Sequence, residues 1–179
     1  MAEKTERLEN GNVHTLSLLV ENKPAVLQRI ASLFARRGYN IESLAVGPTE
    51  RPEYSRMTVV VRLTQKPVEQ AVRQLQKLIP VMEVRELSPH DKLERELVLI
   101  KIKTPEKNHA ELRAIAETYQ AQIVDVSPDA LMIEATGTAS KLDALEERLA
   151  VFGITELCRS GRIALERGFK TLAPPHLKD

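Results

Sequence analysis

Four histidines, one cysteine and two acidic runs are the residues here whose types could carry catalysis or hold a metal, and their spacing argues against both. His14, His90, His109 and His176 stand far apart, with no local pair and no cysteine or carboxylate cluster at metal-ligand spacing. Each is expected to be a surface or strand histidine. Cys158, in "ITELCRSG", has no nearby histidine or second cysteine to make it a nucleophile or ligand; as the sole cysteine it is expected to be a buried thiol without a disulfide. The runs "LEERL" and "KLERE" offer paired carboxylates, but their helical and strand-entry contexts suit solvated faces better than a general acid and base pair. No GxGxxG, GxxxxGK(S/T), GxSxG or HExxH string occurs, so nucleotide binding and the familiar hydrolytic chemistries lack local support.

Binding chemistry is better served, by "ENKPAVLQRIASLFARRGYNIESL" between Glu21 and Leu44. The free amide groups and positive dipole end of a helix opening in this stretch form a receptor for a carboxylate. Asn22 sits at that end. Asn40 follows Gly38 at the start of the next strand, where its side chain offers a carbonyl to an ammonium group or an amide donor to a carboxylate. A plainer reading stands beside this one, with Asn22 as an N-cap and Asn40 as a turn residue.

The elements that must position these residues follow from periodicity. "VHTLSLLV", about Val13 to Val20, is rich in β-branched and aliphatic residues and reads as a strand, followed by the helix start signal of Asn22, Lys23 and Pro24. Val26, Leu27, Ile30, Leu33 and Phe34 recur at helical spacing and share one face. Gly38 is a natural C′ residue, and Arg36 and Arg37 fall in the last turn, where cations meet the helix dipole. "YNIESLAVGP" and "YSRMTVVVRLT" read as strands joined by "PTERPE", "KPVEQAVRQLQKLI" as a helix, and "VMEVREL" as a strand. Strand, helix, strand, strand, helix, strand is the ferredoxin-like βαββαβ order: an antiparallel sheet with helices on one face, the other face left for a partner or water.

The apolar pattern lapses at "SPHDKLER", and "ELVLIKIKT" begins a second pass through the same order, with helices in "NHAELRAIAETYQ" and "SKLDALEERLAVF". The two passes are offset by roughly 75 residues, which indicates two similarly built units rather than a short-period solenoid. The expected organisation is α+β: two ferredoxin-like βαββαβ domains at 13–90 and 93–168, then an irregular tail "FKTLAPPHLKD". Units this small have small cores and gain from association.

Composition narrows the partners. With 26 basic and 25 acidic residues the net charge is only +1, so no basic field is available to hold phosphates. Aromatics make up 3% of the chain, and "SRMTVVVRL" has none of the basic-Gly-aromatic sequence with which an RNA-recognition sheet stacks bases; no nucleic-acid partner is expected. The start "MAEKTERLENGN" is charged, and no apolar run approaches the roughly 18 residues that suggest a membrane span. The expected setting is the cytoplasm, with no membrane partner.

"VENKPAVLQRIASLFARRGYNIESLAVGPTE" followed by "SRMTVVV" resembles the ACT domain of the regulatory, or small, subunits of acetolactate synthase. "LERELVLIKI", "AQIVDVSP", "GTASKLDAL" and "RSGRIALERG" resemble the second domain of those subunits in order and spacing, so the likeness runs from about Val13 to Gly168. The resemblance implies a non-catalytic, homodimeric partner of a catalytic large subunit in valine, leucine and isoleucine biosynthesis. It implies no cofactor on this chain, with thiamine diphosphate, Mg and FAD on the large subunit. It further implies activation of that subunit and feedback inhibition by valine, bound where two ACT domains pair. An effector site of Asn22, Ala25, Val26, Asn40 and Ile41 follows: the asparagines grip one zwitterion, and Val26 and Ile41 are its apolar neighbours. Ala25 stands where the family commonly has glycine. A free-standing amino-acid sensor acting on another enzyme or a transcription factor is the alternative.

Overall fold

The computed structural model describes residues 12–63 and 67–174; the charged start through Gly11 and His176 lie outside the described residues. The chain divides into two units, the first taking in residues up to Leu93 together with those from Ile163 onward, the second running from Glu94 to Arg162.

The first unit is a four-stranded antiparallel sheet in the order β2-β3-β1-β4, from β1 (Asn12–Glu21), β2 (Asn40–Pro48), β3 (Tyr54–Leu63) and β4 (Val81–Leu87). Helices α1 (Val26–Arg37) and α2 (Val68–Leu75) cover one face. Alternation sets that face: Leu16, Leu18 and Val20 of β1 stand opposite Val59, Met57 and Ser55 of β3 and point at the helices. From α1 come Val26, Ile30, Leu33 and Phe34, one turn or two apart. α2 stops at Leu75, short of the expected "QKLI"; tight turns follow, with Leu78 packed on the same core.

Two local features aim the chain around α1. At its end Gly38 takes φ 66 and ψ 34, the Gly38 N–H donates to the Ala35 carbonyl at 3.1 Å and the Tyr39 N–H to the Phe34 carbonyl at 3.0 Å. These are the two bonds of a Schellman cap, and its apolar contact is present as well, the Phe34 and Tyr39 rings meeting edge to face at 5.7 Å. A β-bulge then falls at Glu42, because Ile41 pairs with Val61 while Ser43 pairs with Val60. The extra residue lets Ile41 and Leu44 both face the core.

The other face of this sheet is not left to a partner or water, as the sequence suggests. The short strand β9 (Ile163–Glu166) and the segment after it lie over it. The Ala164 N–H donates to Thr58 Oγ1 at 3.3 Å and the Ala173 N–H to Glu83 at 2.9 Å. Outer-face residues are consequently sealed: Val60 is 0% exposed and Ser17 1%. The division of the chain therefore departs from an expected second domain at 93–168, since residues from Ile163 pack with the first unit. Burying a leucine-sized side chain contributes about 1.5–3 kcal/mol, and this segment adds Leu172 at 9% exposure.

The second unit repeats the plan with the order β6-β7-β5-β8, from β5 (Lys92–Lys103), β6 (Gln122–Ser127), β7 (Ala130–Gly137) and β8 (Ile154–Arg159). Helices α3 (His109–Thr118) and α4 (Ala139–Leu149) pack on Val98, Ile100, Ile102, Leu131 and Ile133. Two expectations are corrected here. Cys158 is exposed, because its partner across β5 is the outward-facing Leu99 rather than a core residue. His109 is neither on the surface nor in a strand: it is buried in the first turn of α3.

Candidate effector site

Asn22, Ala25 and Val26 form the entrance to α1. The Asn22 N–H donates to the Glu53 carbonyl at 2.7 Å and its Nδ2 to the Pro52 carbonyl at 3.0 Å, which ties it to the loop between β2 and β3. The plain N-cap reading of Asn22 therefore fails. Ala25 is the N-cap, and no side chain caps the helix there. Among the described residues the first-turn amides carry no side-chain acceptor, and no acidic residue occupies the first turn.

Ala25 has φ 67 and ψ 0, in the left-handed region. An L-residue with a Cβ is held there at a cost of about 1–2 kcal/mol, whereas glycine adopts the conformation freely. The tertiary structure imposes it: Asn22 is pinned to the 52–53 loop, Val26 is 7% exposed in the core, and the chain must reverse between them.

Asn40 and Ile41 lie beyond the other end of α1. Asn40 is the exposed first residue of β2, opposite Arg62, and among the described residues its side chain has no hydrogen-bond partner. Arg62 is engaged by Glu42. Ile41 is half-buried against the core that also holds Val26, so both present only part of a side chain to a ligand.

Within one chain these two groups do not meet. A helix the length of α1 spans about 18 Å. Glu21 pairs with Tyr54 and Asn40 with Arg62 on the same strand, positions separated by roughly 26 Å of β-structure. An amino-acid zwitterion is far shorter than either distance.

Sequence reasoning missed a second polar constellation, on the outer face of the first sheet. A cavity of about 180 Å³ lies between β1, β3 and β4 and the returning C-terminal segment, lined by Ser17, Arg56, Arg85, Leu165, Glu166 and Leu172 among others. Arg85 pairs with Glu166 and with Glu83, the latter at 2.9 Å. The hydrogen bond between Arg85 and Glu166 raises the guanidinium's affinity for its proton and lowers the carboxyl's. Burial pushes the Arg56 guanidinium the other way. The signal in the sequence was the polar alternation of Thr15, Ser17, Arg56, Thr58 and Arg85 within apolar strands.

Comparison with known proteins bears on what this arrangement serves. A family model described as "AHAS small subunit-like ACT domain" matches residues 16–83, and one described as "Small subunit of acetolactate synthase" matches 95–168. The chain is 46% identical over 162 residues to a probable acetolactate synthase small subunit of Methanothermobacter thermautotrophicus, covering 90% of this chain and 96% of that one. It is likewise 46% identical to the acetolactate synthase small subunit of Mycolicibacterium smegmatis, over 90% of this chain and 95% of that one. Among solved structures, the acetolactate synthase small subunit of Thermotoga maritima superposes with a TM-score of 0.82 at 37% identity, covering 89% of this chain and 99% of that one.

Proposed function

This chain belongs to the family of acetolactate synthase small subunits, and from that premise we propose that it is the cytoplasmic regulatory partner of a thiamine-diphosphate-dependent large subunit, which it activates and makes sensitive to valine. The large subunit carries the cofactors and the carbon–carbon bond formation of branched-chain amino-acid synthesis. This chain supplies the effector site, and it does so as a homodimer.

The observation that carries the reading is the separation of Asn22 from Asn40. β2 is an edge strand, so its outer row of backbone groups is available to a second copy. Two-fold antiparallel pairing of β2 with β2 of that copy sets the Asn40 end of one strand beside the Pro48 end of the other. Asn22 is bonded to the loop that follows Pro48. The pairing thus brings Asn40 of one protomer to the uncapped α1 entrance of its partner. There the first-turn amides take the valine carboxylate, Asn40 and the remaining Asn22 valences take the ammonium and second oxygen, and the flanks of Val26 and Ile41 meet the isopropyl group.

Acetolactate formation by the large subunit, measured with and without this chain and then against added valine, tests the proposal. Activation with valine inhibition is expected, and Asn40→Ala retains the first while losing the second. Binding of valine by a chain that neither associates with nor activates a large subunit would point to a free-standing sensor instead.

A further inference from the structure

The first sheet's outer face carries a cation that its surroundings do not neutralise. Arg56 lies half-buried on β3, and its guanidinium donates one long hydrogen bond, from Nη1 to Ser17 Oγ at 3.3 Å. Among the described residues no carboxylate lies within ion-pair range of it; Glu50 and Glu83 act on it only through space. Its neighbour Arg85 instead holds Glu83 and Glu166 and also donates to the Thr171 carbonyl at 3.3 Å. A guanidinium presents five N–H donors in a planar fork and does not give up its charge, so Arg56 keeps most of its donors uncommitted. Burial penalises that charge, and an anion would offset the penalty.

The cavity beside Arg56 has the shape and chemistry for such an anion. Its volume of about 180 Å³ admits a few non-hydrogen atoms and excludes a nucleotide. Arg56, Arg85 and Lys170 outnumber Glu166 among its lining residues, and pairing of Arg85 with Glu83 still leaves one positive charge in excess. Leu87, Leu165 and Leu172 form an apolar wall, which favours a carboxylate with a short hydrocarbon tail over a fully solvated anion.

We propose that this cavity binds a small aliphatic carboxylate, whose oxygens accept parallel N–H bonds from Arg56 while its tail rests on Leu87, Leu165 and Leu172. Ser17 Oγ, which accepts from Arg56, retains its own hydrogen to donate to the ligand. One wall is the segment that returns over the sheet, so the bound carboxylate fastens that segment to β3. The site is complete within one chain and does not depend on the pairing of two copies at β2.

Isobutyrate is a suitable probe and inorganic phosphate its control, titrated calorimetrically into the full-length chain and followed by amide NMR. Millimolar binding of isobutyrate is expected, with shifts at Ser17, Arg56, Ala164 and Leu172, and with roughly tenfold or greater weakening in Arg56→Gln. Leu165→Glu, at an exposed position on the cavity wall, supplies a competing carboxylate and produces the same loss even if Arg56→Gln does not fold. Asn40→Ala binds the probe as the native chain does, which separates this site from the effector site. Phosphate binding as tightly as isobutyrate, no saturable binding of isobutyrate, undiminished binding in both cavity variants, or shifts confined to Asn22 and Asn40 would each overturn the proposal.

Discussion

The two units share one plan and differ where a ligand could enter. α1 of the first begins at a left-handed, exposed Ala25 that no side chain caps. α3, its counterpart in the second, is preceded by a 3-10 turn at Glu106–Asn108 and begins with the buried His109, while Thr138 caps α4 by accepting the Lys141 N–H at 3.3 Å. The outer faces differ in the opposite sense. The first sheet's is covered by the returning C-terminal segment, whereas the second carries the exposed Cys158 and the solvent-facing pair Lys101–Glu156. On the proposed reading, the same fold serves as a binding module or a plain packing module according to how one helix end is finished and how one sheet face is covered.

The buried charges give the strongest way to break this contrast. Arg159 in the second unit is held by Glu96 at 3.3 Å, Asp143 at 2.7 Å and Glu146 at 2.8 Å, and the Glu96 side chain is only 6% exposed. Burial opposes the Arg159 charge, and the hydrogen bonds to Glu146 and Asp143 outweigh it. Arg159→Ala strands the Glu96 carboxylate and should destabilise the second unit by about 3 kcal/mol in urea unfolding. Arg56→Gln in the first unit leaves no carboxylate stranded and should cost under about 1 kcal/mol. Equal losses would mean that the two arginines play the same structural part.

Next in size is the cover of the first sheet. Ala164→Asp places a carboxylate against Thr58 at a position 4% exposed and should cost about 2 kcal/mol. Amide hydrogen exchange should show the loosening in β9 and at Thr58, with the second unit unchanged.

Left-handed residues other than glycine sharpen the comparison further, since among the described residues each unit has one, Ala25 with φ 67 and Gln120 with φ 52. Replacing either by glycine relieves strain and should stabilise by about 0.5–1 kcal/mol after the entropy glycine adds to the unfolded chain. Only Ala25→Gly removes a Cβ from the proposed valine site, so only it should raise valine sensitivity of the reconstituted enzyme. Sensitivity unchanged by Ala25→Gly would show that the methyl group is no obstacle.

The smallest expected effect is on pH. Arg85 holds the Glu166 carboxyl below its ordinary value of 4.5, so its contribution is present above that pH and lost as pH falls through the lower folded value. Protection of the Ala164 and Arg167 amides, relative to their intrinsic exchange rates, should fall below about pH 4.5 in the native chain, and Glu166→Gln should flatten that dependence.

How far the sequence foretold this contrast depends on whether the cause was local. The apolar face of α1, the Gly38 cap and β4 are fixed by neighbours a few residues away, and all three were legible. The bulge at Glu42 was not, because it answers to the partner strand β3. Nor was the separate strand β9, since Ala164 is fixed by Thr58, distant in sequence. Asn22 looked like an N-cap because Asn, Lys and Pro precede the helix, yet the loop at Pro52 claims its side chain. Alanine carries no mark of a positive φ, so the strain at Ala25 was signalled only by the glycine that the family resemblance implies at this place.

Complementation between two valine-insensitive variants tests the central claim, an effector site shared by two copies, most directly. Asn22→Ala and Asn40→Ala chains, each purified and reconstituted with the large subunit, should both activate acetolactate formation without valine inhibition. Unfolded together, refolded as a mixture and reconstituted, they should regain partial valine inhibition, because each mixed dimer contains one site with both asparagines intact. A mixture as insensitive as its parents, from chains shown to exchange, would contradict a site built across two protomers.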